Sequence, residues 1–450
     1  MTHYERKILL PFSASTVFEW HKQDGALERL IPPWQQVKIL KREGQGIQNG
    51  ARLKMKVSQG WLGGILEVEH RDYIEGKQFR DVLIQGPYKR WEHTHLTQDQ
   101  QENESLMIDS IEYETPFSYF IQSYMEKELN RLFTYRHQTL KEDLFRHQGV
   151  KSMKILISGA SGLVGSALVP FLTTGQHQVV KLVRQSTNLK SDEIAWDPAT
   201  GFIDGASLEG FDAVVHLAGE SIMGRWTEEK KQKIKESRVK GTQLLSQTLS
   251  QLKQKPSVFI CSSATGYYGN RGDEILTEQS PKGEGFLADV CEEWENATRT
   301  AVEASIRTIN LRTGIVLSPK GGALKQMLTP FKWGLGGEMG SGQQYMSWIT
   351  LDDLIYMILY LIEQPFIAGP VNAVGPHPVT NKEFIQTLGH VLHRPTFLKV
   401  PTFGIQLLFG EMGEELLLTS ARVEPAKLNK AGFRFSYPHL EKALSHLLGH

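Results

Sequence analysis

Along the first part of the chain, apolar and polar residues alternate in short runs at positions 52–57, 64–72, 78–84, 91–96 and 105–113. A two-residue period turns one side of each run toward a core and the other toward water, so these runs predict an antiparallel meander. Ahead of them, residues 4–10 predict a strand, and residues 13–20 a short helix opened by a serine cap. The period then changes. After Pro116, the positions Phe120, Ile121, Tyr124, Leu129, Leu132, Phe133, Arg136 and Leu140 recur at three- and four-residue steps and predict one long helix.

Residues 146–152 read as a polar linker, which divides the chain into a domain over 1–147 and a second over 153–450. Beyond it the pattern becomes strand, helix, strand, helix. Apolar runs at 178–183, 213–217, 258–262 and 307–311 predict strands, with helical stretches centred on 168, 238, 294 and 357. That alternation predicts an α/β Rossmann-like, doubly wound parallel sheet.

The apolar run Met153-Lys154-Ile155-Leu156-Ile157 leads into Ser158-Gly159-Ala160-Ser161-Gly162-Leu163-Val164-Gly165, and a helical segment follows. A strand that enters a glycine turn and then a helix N-terminus presents backbone N–H groups and a helix dipole to a pyrophosphate. The glycines allow the tight turn and the close approach of phosphate and strand. Gly159, Ser161, Gly162, Leu163, Val164 and Gly165 are therefore the candidate dinucleotide-binding turn. The second strand ends at Lys181-Leu182-Val183-Arg184-Gln185. An acidic residue there would suit the ribose of NAD; Arg184 suits a 2′-phosphate, so NADP(H) is the expected cofactor. The strand ending in His216-Leu217-Ala218-Gly219 would let the chain pass close to the cofactor's ribose and phosphate.

Composition narrows the class. Fifty basic residues balance fifty acidic ones, which gives no field that points to nucleic acid or an anionic membrane. The two cysteines, Cys261 and Cys291, have no C-x-x-C spacing and form neither a disulfide framework nor a zinc site. No signal-peptide stretch follows Met1, and the most apolar run, 354–362, is shorter than the ~20 residues of a membrane span. A cytoplasmic protein with a small-molecule substrate is the expectation; the oligomeric state is left open.

The segments Ser158 to Gly165, His216 to Glu220, Arg225-Trp226, Ser237-Arg238, Ser263 to Gly269, Leu311-Arg312-Thr313-Gly314, Ser347-Trp348-Ile349 and Val371-Asn372-Ala373-Val374 keep their order along residues 153–448. Together they resemble the atypical short-chain dehydrogenase/reductases known as sugar-nucleotide epimerase-like proteins. The resemblance implies that NADP is held by the glycine turn, by Arg184, by His216 and Leu217, by Lys233 and Arg238, and by a backbone contact at Ile315. It also implies a small C-terminal region that chooses the substrate. One departure matters. Short-chain dehydrogenases carry a tyrosine four residues before a lysine, and the helix that should hold them has Leu287 and Cys291 there. Neither side chain can do that acid–base work. Ser263, Thr265 or Tyr267 could supply a hydroxyl, with Ser263 and Tyr267 the candidate catalytic residues; packing beneath the nicotinamide or capping a turn is the alternative reading.

Residues 3–143 resemble the START/Bet v 1-like (SRPBCC) superfamily in element order and in fragments such as Leu10-Pro11-Phe12-Ser13-Ala14 and Pro32-Pro33-Trp34. That resemblance implies an α+β helix-grip domain with a hydrophobic-ligand pocket. Trp91, His93 and His95 share one face of a strand, but no third ligand is apparent, so a cavity lining or exposed face is expected and no metal. Arg136 and His137 are expected to have no function. Farther on, the glycine runs at 321–322 and 334–342 predict loops around a substrate cleft, and Asp352 or Asp353 a helix cap. The function expected is an NADP-dependent oxidoreductase or epimerase-like enzyme acting on a small molecule. The alternative is a non-catalytic NADP-binding sensor or a ligand-binding regulatory protein.

Overall fold

The computed structural model describes residues 1–58, 63–114, 118–184 and 187–450; Pro116, Gln185 and the side chains of Phe120 and Ile121 lie outside these. The chain forms two compact units. One is Met1–Val150 with Thr173–Gln176 and Leu448–His450; the other is Lys151–Leu172 with His177–Leu447.

In the first unit, the alternating runs pair into an antiparallel seven-stranded sheet. Its order is Thr2–Leu10, Glu104–Glu114, Arg90–Gln101, Gln78–Gln85, Gly64–Ile74, Arg52–Val57 and Val37–Glu43. The edge strand Val37–Glu43 has no counterpart in the sequence prediction, because Lys38, Lys41 and Arg42 interrupt its apolar positions and most of it is exposed. Charged residues on an edge strand discourage pairing with other chains. The helix Ala14–Lys22 starts where the serine signal puts it, with the Thr16 amide donating to Ser13 Oγ at 3.3 Å. The long helix Ser118–His147 buries Leu129 and Phe133 with Tyr4, Ile111 and Tyr113, and Leu140 and Leu144 with Leu10, Val17 and Trp20. Strand Arg90–Gln101 turns His93 and His95 inward as the alternation predicts.

The second unit has an eight-stranded sheet. Its order is Phe202–Ile203, Glu193–Asp197, Gln178–Val183, Lys154–Ser158, Ala213–His216, Val258–Ala264, Arg307–Thr313 and Gly369–Ala373. Its pairs are parallel except at Phe202–Ile203. Central strands such as Ala213–His216 are buried at every position, as strands covered on both faces must be. From Lys154–Ser158 the chain first builds outward through Gln178–Val183, then crosses to the opposite side at Ala213–His216. That reversal opens a crevice at the carboxyl ends of the two neighbouring strands, the usual ligand position in such sheets.

The helix Leu351–Glu363 is almost wholly buried, and its cap is Thr350, whose Oγ1 accepts from the Asp353 amide at 3.0 Å. The aspartates instead anchor the C-terminal segment. Asp353 accepts from the Ser436 and Tyr437 amides at 2.7 and 3.1 Å, and Asp352 lies 3.1 Å from His446 Nε2. Among the described residues no helix is long and apolar enough to cross a membrane.

Candidate functional site

The glycine turn sits at the crevice. Gly159 has φ +73°, a conformation that costs any other residue, and a Cβ there would lie 2.7 Å from the carbonyl carbon of Leu217. A Cβ on Gly165 would lie 2.3 Å from Gly159 O, and one on Gly162 3.3 Å from the same oxygen. Gly159 thus lets the turn touch the adjoining strand end, and Gly165 seats the helix Gly165–Thr174 against the turn. The Gly162 amide closes the turn on Gly159 O at 3.0 Å. Ser161 and Gly162 are exposed, Leu163 and Val164 half-buried, and the Leu163 and Val164 amides have no protein acceptor among the described residues. Unpaired amides at a helix N-terminus beside a wall of bare backbone suit a pyrophosphate. Leu163 packs toward Gly321, where a Cβ would lie 3.1 Å from its methyl carbon, so that glycine run borders the turn.

Arg184 follows the second strand of this sheet and is exposed, with Asp197 and Glu220 near enough to feel its charge. His216 lies differently from a ligand contact. Its ring is fully buried, Nδ1 is 2.5 Å from Ser158 Oγ, and Nε2 has no hydrogen-bond partner among the described residues. It faces Trp196 and Gly241, on the sheet side of the helix Glu228–Gln251, and burial pushes it down to about 4. Beyond His216 the strand end is more open: Leu217 and Ala218 are half-buried. Gly219 is exposed and lies under Arg238, whose Nη1 donates to the carbonyls of Glu220 and Ile234, each at 3.0 Å. Arg238 also lies 5.0 Å from the Trp294 ring. Lys233 points outward and pairs with Glu229 one turn earlier on the helix. The Ile315 amide donates to Ser347 O at 2.8 Å, so the strand pairing uses it.

A second centre lies at the end of Val258–Ala264. Ser263 is buried, and its hydroxyl donates to Glu295 Oε1 at 2.8 Å. Arg312 grips the same carboxylate with Nε and Nη2, both at 2.8 Å, and donates from Nη1 to the Tyr268 hydroxyl at 3.0 Å. Tyr268 in turn reaches Asn372 Oδ1 at 2.7 Å. The Arg312 guanidinium lies 3.4 Å from the Tyr267 ring centroid, and the Tyr267 hydroxyl has no hydrogen-bond partner among the described residues. Leu287 packs on Gly266, and the buried Cys291 thiol is pushed up to about 11 by its surroundings. Glu415, from the C-terminal segment, accepts from the Phe286 and Leu287 amides at 3.3 and 3.4 Å and so closes the start of the helix Phe286–Asn296.

Sequence reasoning singled out Ser263 and Tyr267 but missed Glu295, Arg312, Tyr268 and Asn372 as one network. The signal was faint: Arg312 follows Leu311 in the polar-rich strand Arg307–Thr313, and only its burial in the fold shows that its charge requires a partner.

Residues 155–373 match the NAD dependent epimerase/dehydratase family, and residues 400–447 match a domain of unknown function, DUF1731. An epimerase family protein of Mycobacterium bovis, Mb2239, is 42% identical over 293 residues, which cover 65% of this chain and 96% of that protein. A crystal structure of a nucleoside-diphosphate sugar epimerase from Corynebacterium glutamicum superposes with a TM-score of 0.80 at 33% identity. It covers 99% of this chain and 90% of its own. The human epimerase family protein SDR39U1, solved with NADPH, gives a TM-score of 0.61 at 33% identity over 66% of this chain and 99% of its own.

Proposed function

Since the chain belongs to the NAD-dependent epimerase/dehydratase family, we propose that its second unit binds NADP(H) at the glycine turn and acts on a small molecule in the crevice beyond it. The observation that carries this reading is the turn itself. Three glycines are crowded by backbone at the point where the sheet order reverses, and an exposed arginine closes the next strand. The human relative solved with NADPH supports the phosphorylated cofactor, and the description of the Corynebacterium relative makes a nucleoside-diphosphate sugar the first substrate class to test.

Bound NADP(H) would supply hydride chemistry. The chain's own residues bind and orient. In this reading the Leu163 and Val164 amides meet the pyrophosphate, Arg184 the 2′-phosphate, and Ala218 and Gly219 the ribose through their backbone. Arg238 holds the 219–220 backbone in place, and Lys233 reaches a ligand only by leaving Glu229. Ser263 positions Glu295 and thereby Arg312, and Arg312 fixes the ring plane of Tyr267. The Tyr267 hydroxyl is the group this reading puts against the substrate. A second reading has a specific observation in its favour: Leu287 and Cys291 stand where the tyrosine and lysine should be. A cofactor-binding sensor without turnover follows from it.

In the same proposal the first unit is a START/Bet v 1-like ligand domain, supported by a seven-stranded antiparallel sheet followed by one long helix packed on it. The two buried free cysteines suit a reducing cytoplasm. Calorimetric titration of the full chain with NADPH and with NADH tests the cofactor. NADPH binding much tighter than NADH, with the preference lost in Arg184→Ala, is the expected result; no binding of either sinks the proposal.

A further inference from the structure

The interior of the first unit holds a polar cluster for which the proposed activity has no use. His93 and His95 lie on the buried face of the strand Arg90–Gln101, 3% and 7% exposed. Asp81, on the neighbouring strand Gln78–Gln85, pairs in register with His93. Its Oδ2 is 3.9 Å from His93 Nδ1 and 3.5 Å from His95 Nε2. The three donor atoms lie within 4.8 Å of one another. Good N–H···O hydrogen bonds span about 2.7–3.2 Å, so these separations are too long for them. They approach the edge of a ligand tetrahedron, roughly 3.3 Å for metal–ligand bonds of about 2.0 Å.

What holds these groups from behind decides the reading. His93 Nε2 is 2.8 Å from Asp109 Oδ1, which makes Nε2 the protonated nitrogen and turns the Nδ1 lone pair toward Asp81. His95 Nδ1 lies 3.0 Å from the same oxygen, slightly out of line for a hydrogen bond. Asp109 Oδ2 takes His137 Nε2 at 2.7 Å, and the outer oxygen of Asp81 takes His70 Nδ1 at 2.7 Å. So His93 and Asp81 have their far atoms hydrogen-bonded, His95 Nδ1 lies beside Asp109 without a hydrogen bond, and the three near atoms gather within 4.8 Å of one another. Carboxylate-backed imidazoles with converging free nitrogens are the outer-shell pattern of metal sites. A plain hydrogen-bonded core would pair His93 Nδ1 directly; here its nearest carboxylate oxygen is 3.9 Å away. His21 Nε2 is also buried without a hydrogen-bond partner among the described residues, and His21 lines with Asp109, Arg136 and His137 a small cavity beside the triad.

We propose that Asp81, His93 and His95 bind one divalent transition cation of the zinc type, with a remaining coordination position open to water or a ligand oxygen. Two imidazoles and one carboxylate suit zinc or its first-row neighbours; calcium and magnesium require an oxygen-rich set. The absence of a metal expected from sequence is thereby revised, because the third ligand comes from a strand whose pairing only the fold establishes.

The test uses the full chain stripped with a chelator and dialysed, titrated calorimetrically with Zn(II) and followed by visible absorption with Co(II). One Zn(II) per chain at micromolar affinity or tighter is expected. The Co(II) bands should be those of four- or five-coordinate nitrogen–oxygen ligation, without thiolate charge transfer. Asp81→Asn and His93→Gln, checked for native circular dichroism, should each weaken binding at least tenfold. Binding no tighter than millimolar, a thiolate band, or affinity unchanged in both variants overturns the proposal. Should the variants fail to fold, the wild-type stoichiometry and Co(II) spectrum decide by themselves.

Discussion

Arg312 and Glu295 meet through two parallel hydrogen bonds of 2.8 Å, between the end of a strand and the end of a helix that precedes it in the chain. Arg312 is 3% exposed, so its charge has no access to water that could replace the carboxylate. Removing one partner of such a pair leaves the other buried and uncompensated. Glu295→Gln should therefore destabilise the protein by about 3–5 kcal/mol, read as a lower urea midpoint. Arg312→Lys should fall short of rescue, because an ammonium cannot make the two-point contact and also reach Tyr268. A loss under about 1 kcal/mol for Glu295→Gln would show that this network is solvated and does not fix Tyr267.

The glycine turn makes a sharper steric prediction. Gly165→Ala would bring a methyl 2.3 Å from Gly159 O, and Gly159→Ala combines a 2.7 Å contact with a left-handed φ of +73°. The second conformation alone costs an alanine about 1–2 kcal/mol. Both variants should lose NADPH binding in calorimetry. Gly162→Ala, whose Cβ meets its nearest atom only at 3.3 Å, should keep most of it. Equal loss in all three would mean that general unfolding, rather than the turn, was being measured.

How much of this was visible beforehand depends on distance along the chain. The strand–turn–helix at Met153 to Thr174 is local, so its glycine spacing and apolar flanks are read within one short stretch of sequence. The same holds for the serine cap at Ser13. The triad of Asp81, His93 and His95 is nonlocal: alternation shows that His93 and His95 share a face, but only the register Asp81↔His93 brings the carboxylate to them. His137, read as idle on its helix, reaches Asp109 across the interior. The role of Asp352 and Asp353 was misread for a related reason. An aspartate near a helix start suggests a cap, yet Thr350 stands at the capping position, and the C-terminal segment that takes up both carboxylates is distant in sequence.

Arg184 carries the cofactor preference in the proposed function. Hydrogen bonds to a charged group contribute about 1.5–3 kcal/mol, so Arg184→Ala should weaken NADPH roughly tenfold to a hundredfold and leave NADH unchanged. The difference should shrink at high salt, since the arginine is exposed. A uniform loss for both cofactors would assign Arg184 to the fold of the loop instead.

In the second unit two buried histidines set an acid limit. His216 and His177 are both held down to about 4, chiefly by desolvation. Well above pH ~6.5 they are neutral in folded and unfolded chains alike and contribute no pH dependence to stability. As pH falls from ~6.5 toward 4, the unfolded chain takes up protons that the folded one cannot, so stability drops, by up to about 3 kcal/mol per histidine. Urea midpoints should decline over that window. His216→Asn, which keeps a polar atom for Ser158, should flatten the decline. A rise in stability on acidification would contradict the buried neutral state of His216.

The cysteines offer the most direct check on the chemistry. Burial pushes the Cys261 thiol up to about 12, and the Cys291 thiol stands at about 11, raised by desolvation and by the charge of Glu295. Only the thiolate is a nucleophile, and at pH 8 neither side chain holds an appreciable amount of it. Native protein should therefore resist iodoacetamide at both positions, while protein in denaturant should gain two labels by mass spectrometry. Any turnover found with a substrate should survive the alkylating treatment unchanged. Rapid native labelling of Cys291 with loss of activity would instead mean that the helix Phe286–Asn296 opens and that a thiol takes part where the tyrosine–lysine pair is missing.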